Sequence, residues 1–495
     1  MTILVIKKLK SLWIGLVFSG ISGILLTASM PGFDVPLIGW IALVPLLITL
    51  INANPADVFP LALPFGILFS IGVHNWYPNV FPPLLGYFLV IAVGAYYAGV
   101  LNIGTWLFSR LPDSLKLQAL PVTWSAFEFI KYITPVLQDW WFVILADSQW
   151  RFPPALQILG ITGFPGLSFI VMLVNFAFAI IISNGLKKEY PIPFRTSLAG
   201  LLITGVVIAF GANAIQQPHD TFKVAVVTDM VYQLPEMQGL GNFAGLLKKT
   251  HELSRAIFDN DSRLSRMAAP GKPAFIVWPE NGFASVDDED MMARSGSLAA
   301  GLNSYLAVDM SWNSTFGLLN SAVLIGPGGK EIGRRAKINI VAEEADAGII
   351  PGPESFPVFE TDFGKAGIAV CWDVHRLWII RELARSGAQI ILLPMDNDFR
   401  GISTFPPFHS ADAVFRAAEN HLAFGLGTVN GLSMVIDPYG RITAEGKINQ
   451  RGITVGETFV INSTTIYTRY GDWFGWFITI ILAAFIIFSI KKNNW

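Results

Sequence analysis

Residues 196–228 read TSLAGLLITGVVIAFGANAIQQPHDTFKVAVVT and hold two kinds of order in one stretch. Up to Ala214 the run is apolar and close to the ~20 residues an α-helix needs to cross a bilayer. From Phe222 to Thr228 it is short, β-branched and bounded by polar residues, the pattern of a strand buried on both faces. The chain therefore changes solvent between residues 215 and 221. Upstream, further bilayer-length runs stand at 12–30, 34–52, 57–76, 83–108, 118–137 and 163–184; downstream one more stands at 473–490. The fifth, 118–137, carries Glu128 and Lys131 and is interrupted by Pro135. This reading predicts an α-helical membrane bundle of about eight spans: a helical region at 1–215, a water-facing α/β region at 221–465, and a last helix at 473–490.

Composition agrees. The 495 residues are 53% hydrophobic and only 14% charged, against about 25% charged in soluble domains. The basic residues alternate along the chain. If the N-terminus is cytoplasmic, the inner segments hold Lys7, Lys8 and Lys10, then Arg110 and Lys116, then Lys187, Lys188 and Arg195, and finally Lys491 and Lys492. The short outer loops hold Arg151 and almost nothing else. By the positive-inside rule seven spans precede residue 221, so the α/β region lies outside the cytoplasm and both termini lie inside. The first run reads as a retained span, since apolar segments follow one after another.

The same inventory excludes several functions. A net charge of −2 gives no footprint for nucleic acid. One cysteine forbids an intrachain disulfide. Six histidines without His-x-x-x-His or paired-Cys spacing predict no metal site, and no phosphate-binding glycine loop suggests a cofactor.

Inside 221–465, strand-like runs at 222–228, 275–278, 304–308, 321–325, 367–370 and 390–393 alternate with helical patterns. One carries Leu246, Leu247, Leu253 and Ile257. Another lies around Ile380 to Arg385, and a third runs from Asp412 to Asn420. Asp437-Pro-Tyr-Gly440 is a turn. The order predicts layered α/β sheets. Phe399, Phe405, Pro406, Pro407 and Phe408 read as an aromatic loop that either dips into the membrane surface or packs internally. Glu128 and Lys131, at helical spacing, either pair or meet a lipid headgroup.

Three residues could carry chemistry. Cys371 closes the apolar run Gly367-Ile-Ala-Val370, at a strand-to-helix corner whose backbone N–H groups could face an oxyanion. Glu280 closes Val277-Trp-Pro, where apolar walls would suit it to general-base work. Lys337 follows Gly333-Arg-Arg-Ala and could neutralise a tetrahedral intermediate. Each alone has an ordinary reading: a packed thiol, a solvated loop acid, a surface base. Their joint placement at strand ends or adjoining loops of one domain lifts them together.

The order Trp-Pro-Glu280, Lys337, Cys371 resembles the Glu-Lys-Cys triad of the nitrilase (carbon–nitrogen hydrolase) superfamily. The rest of the chain narrows this. Pro31-Gly-Phe with Gly39-Trp-Ile-Ala-Leu-Val-Pro, Gly163-Phe-Pro-Gly-Leu-Ser-Phe169, Asn320-Ser-Ala, Ile436-Asp-Pro-Tyr-Gly-Arg441 and Tyr467-Thr-Arg-Tyr-Gly-Asp-Trp-Phe474 resemble the bacterial apolipoprotein N-acyltransferases. The resemblance implies a nitrilase-like sandwich on the outer face of the bacterial inner membrane; superfamily members often associate, but membrane anchoring makes a monomer the expectation here. It implies an acyltransferase with Glu280 as base, Lys337 as oxyanion stabiliser and Cys371 as nucleophile. The acyl donor would be a phospholipid and the acceptor the N-terminal diacylglyceryl-cysteine of a lipoprotein.

This chain departs from the family in three places. Trp372 and Asp373 stand where an aromatic residue and a glutamate are usual. Ile338-Asn-Ile-Val-Ala-Glu-Glu-Ala345 replaces a Pro-Phe-Gly-Glu stretch, with Glu343 or Glu344 supplying an extra carboxylate. Asp396-Asn-Asp-Phe-Arg-Gly401 replaces Asn-Asp-Ala-Trp-Phe. Trp372, Asp373, Glu343 and Glu344 are therefore candidate supporting residues. Two competing readings are a membrane-tethered amidase or acyltransferase with another acceptor, and a transporter or receptor. The second expects polar residues along several spans, and the spans are nearly bare.

Overall fold

The computed structural model describes residues 2–140, 143–186, 194–217, 220–237, 251–397 and 404–491. The chain forms two compact units, Met1–Ile215 with Asp472–Trp495, and Gln216–Gly471. Among the described residues of the first unit, six helices are long and apolar enough to cross a membrane: Leu12–Ser29, Pro55–His74, Pro83–Arg110, Phe164–Gly185, Phe194–Ala214 and Trp473–Lys491.

The other two expected spans have a different form. Residues 34–52 make two short helices, Pro36–Gly39 and Val44–Ile51, each with proline in its first turn. Proline is tolerated there because that N–H has no helical partner anyway. The longer piece reaches only ~12 Å, against a hydrocarbon core of ~30 Å. The break leaves backbone groups that side chains satisfy. Asn175 accepts from the Leu43 N–H and donates to the Gly39 carbonyl, both at 2.8 Å. The Ser22 hydroxyl accepts from the Leu46 N–H at 3.0 Å. Such pairing is obligatory where water is absent.

The 118–137 segment yields helix Ala119–Ile133, 15 residues long, or ~22 Å. Its two charges are buried. Glu128 Oε1 accepts from the Trp124 indole at 2.7 Å and from the Leu145 N–H at 2.6 Å. Lys131 donates to the Val143 carbonyl. Both charges thus hold the 143–149 segment. Helices Val58–His74 and Pro83–Arg110 meet backbone to backbone, since a Cβ on Gly66 would stand 2.0 Å from Gly94 O. Small residues allow that close packing in lipid.

Among the described residues, the second unit is built on twelve strands: β1 (Phe222–Thr228), β2 (Phe275–Val277), β3 (Tyr305–Ser314), β4 (Gly317–Ile325), β5 (Glu331–Ala336), β6 (Val358–Thr361), β7 (Gly364–Ile368), β8 (Ile390–Met395), β9 (Ala423–Thr428), β10 (Met434–Ile436), β11 (Ile442–Glu445) and β12 (Gly452–Thr458). The main path runs β5-β4-β3-β2-β1-β9-β8-β7-β6. Strands β3, β2, β1, β9, β8 and β7 are mutually parallel. Two antiparallel steps bring β5 back to the same sense as β3. The C-terminal ends of β2, β5, β7 and β8 therefore share one edge of the sheet. That edge is where ligands bind in open α/β sheets.

Two details differ from the sequence reading. The third helix begins at Phe405, not Asp412, and Phe405–Asn420 is buried throughout. Pro406 and Pro407 sit in its first turn, so Phe405–Phe408 are packed helix and not a membrane-dipping loop. Helix His251–Met267 carries Leu253 and Ile257, while Leu246, Leu247 and Phe399 lie outside the described residues.

Candidate active site

Three of the four strand ends on that edge supply a side chain, and the fourth supplies a backbone carbonyl. After β2, Trp278 is buried with its indole donating to Ser265 Oγ at 2.9 Å. Pro279 then removes a backbone donor and ends the ladder. The Glu280 N–H donates to the Met395 carbonyl at 3.2 Å, which turns the carboxylate inward, 2% exposed. After β5, the Lys337 N–H donates to the Asn320 carbonyl at 2.8 Å, and its side chain is equally buried. The ammonium lies 2.8 Å from Glu280 Oε1 and 2.7 Å from Glu344 Oε2. The Asn320 amide, from mid-β4, donates to Glu280 Oε1 and Glu344 Oε1, each at 2.7 Å. The Asp396 N–H donates to Glu280 Oε2 at 3.2 Å.

Cys371 follows β7 and completes the cluster. Its thiol, 4% exposed, lies within hydrogen-bonding reach of the Glu280 carboxylate and 3.6 Å from the Asp396 carbonyl. The residue has φ +44°, a left-handed conformation that costs a non-glycine residue ~1–2 kcal/mol. Such strain persists only where neighbours over-determine it. Here Asp373 does so. Its fully buried carboxylate accepts from Arg335 Nη1 at 2.7 Å and from the N–H groups of Asn339 at 2.9 Å, Ile338 at 3.1 Å and Val370 at 3.3 Å. The Asn339 amide donates to the Trp372 carbonyl at 2.8 Å. The Trp372 ring packs on Phe405, His375 and His409.

Burial and charge oppose one another in this pocket. Burial pushes the Glu280 carboxyl above the ordinary range; Lys337 works against that and Glu344 with it. Burial alone would discharge Lys337, but Glu280 and Glu344 hold its ammonium well above the usual lysine value. Burial and the Glu280 charge push the Cys371 thiol well up, against the pull of Lys337. The resting thiol is therefore S–H beside a carboxylate of raised basicity. That is an acid–base pair poised for proton transfer at the moment of attack.

The structure thus brings Glu280, Lys337 and Cys371 together: Glu280 is not a solvated acid, Lys337 is not a surface base, and the buried Cys371 thiol has polar partners. Glu344 joins them, while Glu343 is exposed and outside the cluster. Asp373 and Trp372 brace the cysteine turn. The sequence reading put the helix directly after Asp373. Instead a 3₁₀ turn, Cys371–His375, intervenes, and the helix begins at Leu377. Asn320 and Arg335 were not singled out. An amide inside the apolar run Leu319-Asn-Ser-Ala-Val was the available signal, since a buried polar side chain in a strand needs a partner. Among the described residues no group of three His, Cys, Asp or Glu could hold a metal ion.

Comparisons extend over nearly the whole chain. Residues 22–177 match the family described as apolipoprotein N-acyltransferase N-terminal domain, and residues 230–459 match carbon-nitrogen hydrolase. An apolipoprotein N-acyltransferase of Geobacter metallireducens is 28% identical over 92% of this chain and 91% of its own length. One from Thermotoga maritima is 24% identical over 97% and 95%. Among solved structures, an amidase from Nesterenkonia sp. is similar at 18% identity and a TM-score of 0.39, covering 52% of this chain and 94% of its own.

Proposed function

On the premise that the chain belongs to the apolipoprotein N-acyltransferase family, with its carbon–nitrogen hydrolase domain, we propose that it moves a fatty acyl chain from a membrane phospholipid, through a thioester on Cys371, to the N-terminal diacylglyceryl-cysteine of a lipoprotein. The observation that carries this reading is the buried Lys337 ammonium held between two carboxylates, one of them within reach of the chain's single thiol.

In the first half-reaction Glu280 takes the thiol proton as sulfur attacks the ester carbonyl. Negative charge then develops on the carbonyl oxygen, and Lys337 stabilises it in a site where water does not compete. Collapse of the tetrahedral intermediate breaks the C–O bond. The departing alkoxide takes the proton from Glu280 and leaves as lysophospholipid. In the second half the acceptor amine attacks the thioester, gives a proton to Glu280, and the sulfur leaves and is reprotonated. Glu344 keeps the ammonium in place between turns. Exclusion of water protects the thioester from hydrolysis.

The helical unit sits in the bacterial cytoplasmic membrane in this reading, with residues 221–465 outside and both termini inside. The distribution of lysine and arginine supports that orientation. If the shortened segments 34–52 and 118–137 both fail to cross, the number of crossings before residue 221 remains odd. Both substrates are lipids, which accounts for joining a hydrolase-like domain to membrane helices.

Incubating the full-length protein with phosphatidylethanolamine vesicles should leave an acyl mass increment on the peptide containing Cys371. In cells lacking the protein, lipoprotein N-termini should lose their amide-linked chain. An increment without that cellular loss would leave an acyltransferase or amidase with another acceptor; no increment at all would end the thioester mechanism.

A further inference from the structure

The residue after Glu280 is buried between two carboxylates that the reaction does not use. The Asn281 amide nitrogen donates to Asp229 Oδ2 at 2.8 Å and to Asp261 Oδ2 at 3.0 Å, and its oxygen accepts from the Phe283 N–H at 3.2 Å. All three side chains are sealed from solvent. They come from separate elements: Asp229 follows β1, Asp261 belongs to helix His251–Met267, and Asn281 lies in the loop after β2. The other acceptor atoms are also occupied. Asp229 Oδ1 takes the Val231 N–H at 3.0 Å, and Asp261 Oδ1 takes the Asn260 amide at 2.9 Å.

The cation facing this pair is Arg451, which donates to the backbone carbonyls of Asp229 at 2.9 Å and Met230 at 3.4 Å. On the far side of the loop stand Glu280 and Lys337, and the Gly282 N–H donates to Asp309 Oδ1 at 2.6 Å. Two full negative charges around one neutral amide, away from water, are costly. Burial pushes the Asp229 carboxyl up to about 7. Burial and the Asp229 charge push the Asp261 carboxyl well above the usual range. Near neutrality the pair therefore keeps at least one proton.

We propose that Asn281, clamped by Asp229 and Asp261, is a positioning residue that aims the Glu280 carboxylate at Cys371, and that the clamp holds only while the carboxylate pair retains a proton. The sign follows from the charges. As pH rises and the last proton leaves, like charges repel across Asn281. That repulsion displaces the loop that turns at Gly282, φ +44°, and Glu280 moves with it. The inference rests on Glu280 acting as the base of the proposed reaction.

Alkylation of Cys371 by iodoacetamide in the detergent-solubilised full-length protein tests it without any lipid substrate. The cysteine is the only one in the chain, so mass spectrometry reads the rate directly. In the wild type the rate should rise with pH as the thiol ionises, then bend downward as the pair loses its last proton. Asn281→Ala should slow alkylation about tenfold, because a displaced base loses proton-transfer geometry. Asp261→Asn, a near-isosteric neutral replacement, should remove the alkaline bend. Glu280→Gln separates the two levels of the argument. If it alkylates as fast as wild type or faster, the base assignment falls and this inference with it. If it is slow while Asn281→Ala matches wild type, or Asp261→Asn gives a superimposable pH profile, only the clamp is wrong.

Discussion

In the helical unit the buried Glu128 carboxylate accepts from a tryptophan ring and a backbone N–H, and buried Lys131 donates to a backbone carbonyl. In the sheet unit the buried Lys337 ammonium lies between the Glu280 and Glu344 carboxylates, with a thiol beside them. The residue types match, and so does the degree of burial. The partners differ. Glu128 and Lys131 satisfy donors and acceptors that the chain itself exposes where helices are short or broken. In the Lys337 cluster the charges meet one another and a thiol, so the same electrostatics is available to a reacting bond in the proposed reaction. Burial of charge therefore identifies a constrained place; the partners identify its use.

The sharpest way to break that contrast is Lys337→Met. It should lower acyl loading of Cys371 by at least about 100-fold, since a buried charge stabiliser is lost. It should also reduce stability by ~3–5 kcal/mol, because two buried carboxylates lose their cation; urea or thermal unfolding measures this. A variant that loads normally would move Lys337 into the structural class.

A smaller effect sharpens the contrast within the site. Glu344→Gln should slow acyl loading by about tenfold or more, as the ammonium loses one of its two anchors. Glu343→Gln, one residue away but solvent-exposed, should stay within about twofold of wild type. Equal effects would show that proximity in sequence, not contact with Lys337, sets the outcome.

The smallest effect on catalysis belongs to the helical unit. Glu128→Gln keeps one oxygen acceptor for the Trp124 and Leu145 donors. It should cost ~1–3 kcal/mol of stability while leaving the rate of acyl loading within about twofold of wild type in the folded fraction. A selective loss of rate would place Glu128 in the reaction and dissolve the distinction drawn above.

Much of this architecture is legible in the residue string. Apolar run length marks the membrane helices, because a bilayer has a fixed thickness. Short β-branched runs mark the strands, because a two-sided sheet buries alternate residues alike. The strand-end positions of Glu280 and Cys371 are equally local facts, whereas strand β5, which carries Lys337 to the same edge, was not among the runs read from the sequence. Residues 34–52 show where run length is insufficient. Hydropathy cannot see that Pro36 and Pro45 restart the helix, nor that Asn175, more than a hundred residues away, supplies the missing bonds. Phe405–Phe408 show the same for aromaticity, which fits an interfacial loop and a packed helix start alike.

The choice between Glu343 and Glu344 was decided only by the fold. Both are the same residue type in one short helix, and a helical turn points one toward Lys337 and the other toward solvent. The left-handed backbone at Cys371, its brace by Asp373 and the Asn281 clamp likewise join segments distant along the chain. Local sequence sets propensity and periodicity, which are short-range. Which charge meets which depends on how the strand ends converge, and that is a property of the assembled sheet.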